Sequence, residues 1–216
     1  MISLTVMFYL FIFIFAIIGG MRGWAKELLV SFSVVLALFI IFMLMEFAPK
    51  YVKPFNALDA QYGYVYLSEE EEVEEVTPPD KLVAFDSLRD DDERSDFATQ
   101  FWIRVFVVCV LVFFGYQTPS ISRIAATARK DKIQDFLLGL VLGALNGYLI
   151  VGTLWSYMHS AHYPFAPFIV APSDADPLLE SAARLVKILP PIWLGVSPWV
   201  YAAVVLAFIF VLVVFI

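Results

Sequence analysis

Between Ile2 and Gly20 the chain runs for nineteen residues without a charge or a proline. At 1.5 Å per residue such a run covers about 28 Å, close to the roughly 30 Å of bilayer hydrocarbon. Inside that layer a helix is the simplest way for one segment to satisfy its own backbone groups. Four further runs meet the same test. They are about Leu28–Ala48, with Glu46 near its end; Phe97–Gln117, interrupted by Arg104; Phe136–Met158, rich in glycine; and Pro191–Ile216. Five runs of this kind predict an all-α integral membrane protein with five transmembrane helices.

Composition agrees. The 216 residues are 61% apolar and 16% charged, against about 25% charged in soluble domains. A soluble enzyme, a disordered regulator and a disulfide-stapled secreted domain are all disfavoured. One cysteine, Cys109, forms no internal disulfide and no four-cysteine zinc site. A net charge of −7 argues against nucleic acid as a partner. The first run is expected to be retained rather than cleaved as a signal peptide. No Lys or Arg precedes it, and it exceeds the usual 7–15 apolar residues.

The organisation read from these runs is a transmembrane hairpin over 1–48, an extracytoplasmic acidic loop over 49–96 and spans three and four over 97–158. An extracytoplasmic connector over 159–190 and a fifth span over 191–216 follow. Orientation comes from short-loop cations. Arg22 and Lys26 lie between spans one and two; Arg123, Arg129, Lys130 and Lys132 lie between spans three and four. Five threaded spans put both loops on one side, the cytoplasmic one, with the amino terminus outside.

From Pro49 to Ala98 the chain holds 14 Asp or Glu against 5 Lys or Arg. Its blocks from Ser68 to Glu75 and from Asp90 to Glu93 lack apolar periodicity and read as solvated. The alternating Tyr62, Tyr64 and Tyr66 suit a short strand or an interfacial aromatic rim. In the connector, Leu178, Leu179, Ala182, Leu185, Val186 and Leu189 fall at helical spacing among Glu180, Arg184 and Lys187. This predicts an amphipathic helix over Asp176–Leu189, lying in the outer interface.

Few residues carry chemistry. His159 and His162 are three apart, too few for a metal site, and read as interfacial histidines. No nucleophile elbow, zinc-protease or phosphate-loop motif occurs. The reading is therefore not an enzyme, with no cofactor. Ionisable groups inside spans cost about 2.5–3.5 kcal/mol at a helix centre. Glu46 and Arg104 sit at similar depth in one leaflet and are expected to pair, or each to snorkel outward. Gly139, Gly143 and Gly147 recur every four residues and form a helix-packing face. Asn146 flanks it and is placed to hydrogen-bond across the interface. That face could serve this chain, a second copy or another membrane protein.

Two stretches together resemble the colicin V production protein family, the CvpA-like proteins. Gly20-Met-Arg-Gly-Trp-Ala-Lys-Glu27 joins the first two spans, and Asp131 to Gly147 enters the fourth. Arg22, Gly23 and Glu27 match the family's turn motif; Gly139, Gly143 and Gly147 match its glycine-rich fourth span. The resemblance covers about residues 1–48 and 97–190. It implies a multi-pass protein of the bacterial cytoplasmic (inner) membrane, tied to envelope homeostasis and to production or export of colicin V. An Asp common early in the family's first span is absent, and the acidic loop and fifth span are additions. The reading is a non-enzymatic scaffold in the lipid bilayer. The alternatives are an accessory subunit of an energy-converting or transport complex and, third, a channel or transporter.

Overall fold

A computed structural model describes residues 3–62, 91–117, 132–165, 167–172 and 176–215. Among them the regular structure is helical. The helices are α1 (Leu4–Arg22), α2 (Trp24–Phe47), α3 (Phe55–Tyr62), α4 (Asp91–Gln117), α5 (Lys132–Ser160), α6 (Leu179–Lys187), α7 (Pro190–Trp193) and α8 (Trp199–Phe215). Four of them, α1, α2, α4 and α5, are long and apolar enough to cross a membrane. They match the first four expected spans.

The centre of the bundle is α2, which packs against α4, α5 and α8. Its buried residues Val30, Val34, Ala37, Leu38 and Ile41 follow a helical stripe. They form one cluster with Val108 of α4 and Leu149 and Ile150 of α5. In hydrocarbon this packing is held by close van der Waals fit more than by expulsion of water.

The most extensive pairing is α1 on α5. The two run antiparallel, with Gly19 beside Gly143 and Ile12 beside Gly147. A Cβ added to Gly19 would fall 2.6 Å from the Gly143 Cα, and one added to Gly147 would fall 2.9 Å from the Ile12 Cα. Only bare backbone lets these helices approach so closely. The glycine face is thus filled inside the chain by α1.

Several boundaries differ from the sequence reading. Helix α4 begins at Asp91, with Asp91, Asp92 and Glu93 in its first turn. Negative charge there complements the helix dipole, so these three residues of the second acidic block start a helix and are not irregular. Tyr62 closes α3 and so is helical rather than extended; Tyr64, Tyr66 and the block from Ser68 to Glu75 lie outside the described residues. So do Arg123, Arg129 and Lys130. The last helix starts at Trp199 instead of Pro191 and is 17 residues long. Gly195 and Pro198 interrupt the apolar run after the short α7.

Helix α6 spans nine residues of the fourteen expected. Ala182, Leu185 and Val186 are buried, and Glu180, Arg184 and Lys187 are exposed. The buried side, with Leu189, meets Phe8 of α1 and Trp155 of α5. An Asp176 carboxylate that accepts the Leu178 N–H at 2.9 Å sets the turn before it.

Candidate functional site

The residues of the turn between α1 and α2 do more than reverse the chain. Gly23 sits at φ 86°, a conformation that favours glycine, and a Cβ there would lie 2.8 Å from an Asp135 carboxylate oxygen. Asp135, in the first turn of α5, accepts the Trp24 N–H at 3.3 Å. This reversal points Arg22 and Glu27 at each other. Arg22 Nη1 donates to Glu27 Oε1 at 2.6 Å, and its Nη2 donates to the Tyr116 carbonyl of α4 at 3.0 Å. The guanidinium also lies over the Tyr116 ring, 4.2 Å from its centroid.

Glu27 is fully buried. Its second carboxylate oxygen accepts from Asn146 Nδ2 at 2.8 Å, and the same nitrogen donates to the Glu27 carbonyl at 2.8 Å. Ser31, one turn further along α2, donates to Asn146 Oδ1 at 2.6 Å. One charge-assisted network therefore ties α1, α2, α4 and α5 together inside the bundle. Asn146 belongs to it and not to the glycine face: residue 147 faces α1, and residue 146, about 100° away on the helix, faces α2.

A second polar centre lies toward the other end. Arg104 is 1% exposed and stays inside instead of snorkelling. Its Nη1 donates to the Gln100 carbonyl at 2.9 Å and side chain at 3.1 Å; its Nη2 donates to the Lys53 carbonyl at 2.6 Å and meets Met45 Sδ at 3.4 Å. The Phe55 ring stacks on the guanidinium at 4.2 Å. Gln100 in turn accepts the Lys53 N–H at 2.9 Å and donates to the Tyr51 carbonyl at 3.1 Å.

The expected pair of Glu46 and Arg104 does not form. Glu46 is exposed, and Met45, its neighbour, is the residue that faces Arg104. Residue 45 is level with Arg104, but adjacent helix positions point about 100° apart, which turns Glu46 away. The Lys53 carbonyl after α2 and the Gln100 carbonyl and side chain of α4 supply the acceptors that the carboxylate was expected to provide.

His162 is buried, and its Nε2 lies 2.6 Å from Asp59 Oδ1 of α3. The Phe97 ring meets it edge-on at 4.8 Å. His162 and Tyr163 have φ of 55° and 50°, a left-handed backbone that costs about 1–3 kcal/mol per residue. The pairing with Asp59 and the burial of both rings offset that cost. Burial pushes the Tyr163 hydroxyl above its ordinary range, partly opposed by the hydrogen bond from Trp155 at 3.1 Å. His162 thus anchors the connector to α3. Among the described residues, no group of three or more potential metal ligands converges.

Sequence reasoning missed Ser31, Gln100, Tyr116, Asp135 and Asp59. Ser31 and Gln100 had a usable signal, each lying one helical turn from the charged residue it supports. Asp59 had none, being 103 positions from His162.

A helical bundle with four membrane-length apolar helices and a buried interhelical charge network defines a multi-pass membrane protein. The family model described as colicin V production protein matches residues 4–184. The chain belongs to that family. No curated protein and no solved structure matches it.

Proposed function

We propose that this colicin V production family member is a non-enzymatic scaffold of the bacterial cytoplasmic membrane. The observation that carries this reading is the use of its intramembrane polar groups. Arg22, Glu27, Asn146 and Ser31 are bonded to one another across helices, and Arg104 is bonded to Gln100 and backbone carbonyls. Groups spent on holding helices together suit a rigid platform better than a transport path, which needs open polar positions near the midplane.

Orientation in this reading has the amino terminus outside, because Arg22, Lys26 and the cations from Arg123 to Lys132 then face the cytoplasm. Helix α6 lies in the outer interface with Glu180, Arg184 and Lys187 toward water. The chain then descends. Pro190 packs on Gly152, eight residues before the end of α5 and so about 12 Å along it. The Tyr148 hydroxyl donates to the Ile188 carbonyl and accepts from Trp193 at 3.2 Å. From that depth the 17 residues of α8 cover about 25 Å, enough to complete a fifth span.

The test is extraction of native membranes in mild detergent, native gel separation and mass spectrometry of the band. A homogeneous species of this chain alone, or a small homo-oligomer, fits an autonomous scaffold. Comigration with fixed partners in constant ratio would replace that reading with a subunit of a larger complex.

A further inference from the structure

Apart from the polar network, the bundle carries an apolar groove of about 580 Å³. Its walls are the first two turns of α1, including Phe8 and Phe11, and the face of α4 that bears Trp102. Val151 and Leu154 of α5 form the floor. The connector roofs it, where the Phe165 ring stands edge-on to Phe101 at 5.2 Å and to Trp102 at 5.6 Å.

The groove stops short of the other end of the bundle. There α1 and α4 are clasped by Arg22, which donates to the Tyr116 carbonyl at 3.0 Å, and by the rings of Phe15 and Tyr116, 6.5 Å apart. Along α1 it runs from Leu4 to Phe11, and along α5 from Val151 to Met158. Seven rises of 1.5 Å make it about 10 Å long. One leaflet is about 15 Å deep, half of the roughly 30 Å hydrocarbon core.

These dimensions select the occupant. A transmembrane helix needs about 20 residues, and the groove offers fewer than two helical turns before the clasp closes it. A second copy of the chain would need about 800 Å² of contact from each partner, which one short slot with a closed end does not provide. A peptide would bring backbone N–H and C=O groups against a lining made of Leu, Met, Phe, Val, Ile and Trp side chains. A hydrocarbon chain has no such groups. Met7 and Met158, both in the lining, can adjust to its conformation. The exposed rings of Phe11 and Trp102 mark its open side.

We propose that this groove is a lipid-binding site that holds one acyl chain of a phospholipid, seated between α1 and α4; that the lipid belongs to the outer leaflet rests on the orientation proposed above. The bound lipid stays with the protein when the surrounding bilayer is exchanged for detergent.

Native mass spectrometry of the full chain in mild detergent tests this. The wild type should carry one adduct of phospholipid mass. Val151→Trp, which fills the floor, should lower adduct occupancy at least tenfold. Val205→Trp, on the exposed face of α8, should leave it unchanged. If Val151→Trp does not give monodisperse protein, Leu154→Phe narrows the same floor by less and makes the same comparison. Absence of an adduct on the wild type, or equal adducts on floor and control variants, overturns the proposal. A wild-type dimer that Val151→Trp dissociates also overturns it, placing a second copy in the groove.

Discussion

Arg22→Met separates a structural ion pair from an incidental one. In the wild type the Glu27 carboxylate is fully buried and its one cationic partner in the network is Arg22, at 2.6 Å. Removing the guanidinium leaves Asn146 as the remaining side-chain donor to that carboxylate. Breaking a buried pair from one side typically costs about 3–5 kcal/mol, because a charge is left uncompensated. The Arg22 side chain is 21% exposed, so solvent screens part of the attraction and the lower end, about 3 kcal/mol, applies. Loss of the bond to the Tyr116 carbonyl adds about 0.6 kcal/mol, the average for an interhelical bond in a membrane protein.

The double variant Arg22→Met with Glu27→Gln removes the stranded charge and keeps a group that Asn146 can bond. It should recover about 2 kcal/mol relative to the single variant. The assay is equilibrium unfolding in mixed micelles over the full double-mutant cycle. A cost below about 1 kcal/mol for Arg22→Met, or no recovery in the double variant, would refute the idea that this pair holds the bundle.

Five further outcomes are expected. Gly143→Leu should destabilise by at least the 1–3 kcal/mol usual for overpacking, since even its Cβ would lie 2.8 Å from the Gly19 Cα; thermal unfolding in detergent reads this. Glu46→Gln should change stability by less than about 0.5 kcal/mol, as for an exposed site. Arg104→Met should cost about 1–3 kcal/mol, chiefly through the Lys53 carbonyl it leaves unsatisfied; equal effects at 46 and 104 would restore the pair between them. Asp59→Ala should speed hydrogen exchange in α3, whose anchor to His162 is lost, while exchange in α2 stays unchanged. In a Cys109→Ala background, a cysteine at exposed Ala57 should react with an impermeant maleimide in intact cells, and one at Lys132 only after permeabilisation; the reverse pattern inverts the orientation.

The glycine stripe and the turn motif were legible because both depend on local rules. A spacing of four puts Gly139, Gly143 and Gly147 on one face whatever the rest of the chain does, and the absence of Cβ marks that face as a close contact. Which helix would fill it was not legible. The filling helix is α1, 120 residues or so earlier in the chain, and nothing in its own pattern singles it out apart from Gly19 and Gly20. Asn146 was legible as a residue that bonds across helices, but not the helix it would meet. Its neighbourhood in sequence put it with the glycines, and its position on the helix turned it toward Glu27.

What the sequence alone determined was the class of protein, the four long helices, the cationic loops and the small-residue face. Each follows from hydropathy, charge or helical period over fewer than thirty residues. Only the tertiary structure decided which buried charges meet. Arg104 is satisfied by the carbonyls of Gln100 and Lys53, which every residue type possesses and which therefore leave no mark in a sequence. Glu27 is an ordinary first-turn acid until the packing of α1, α4 and α5 excludes water from it. Burial makes that carboxylate structural, and burial is a property of the assembled bundle.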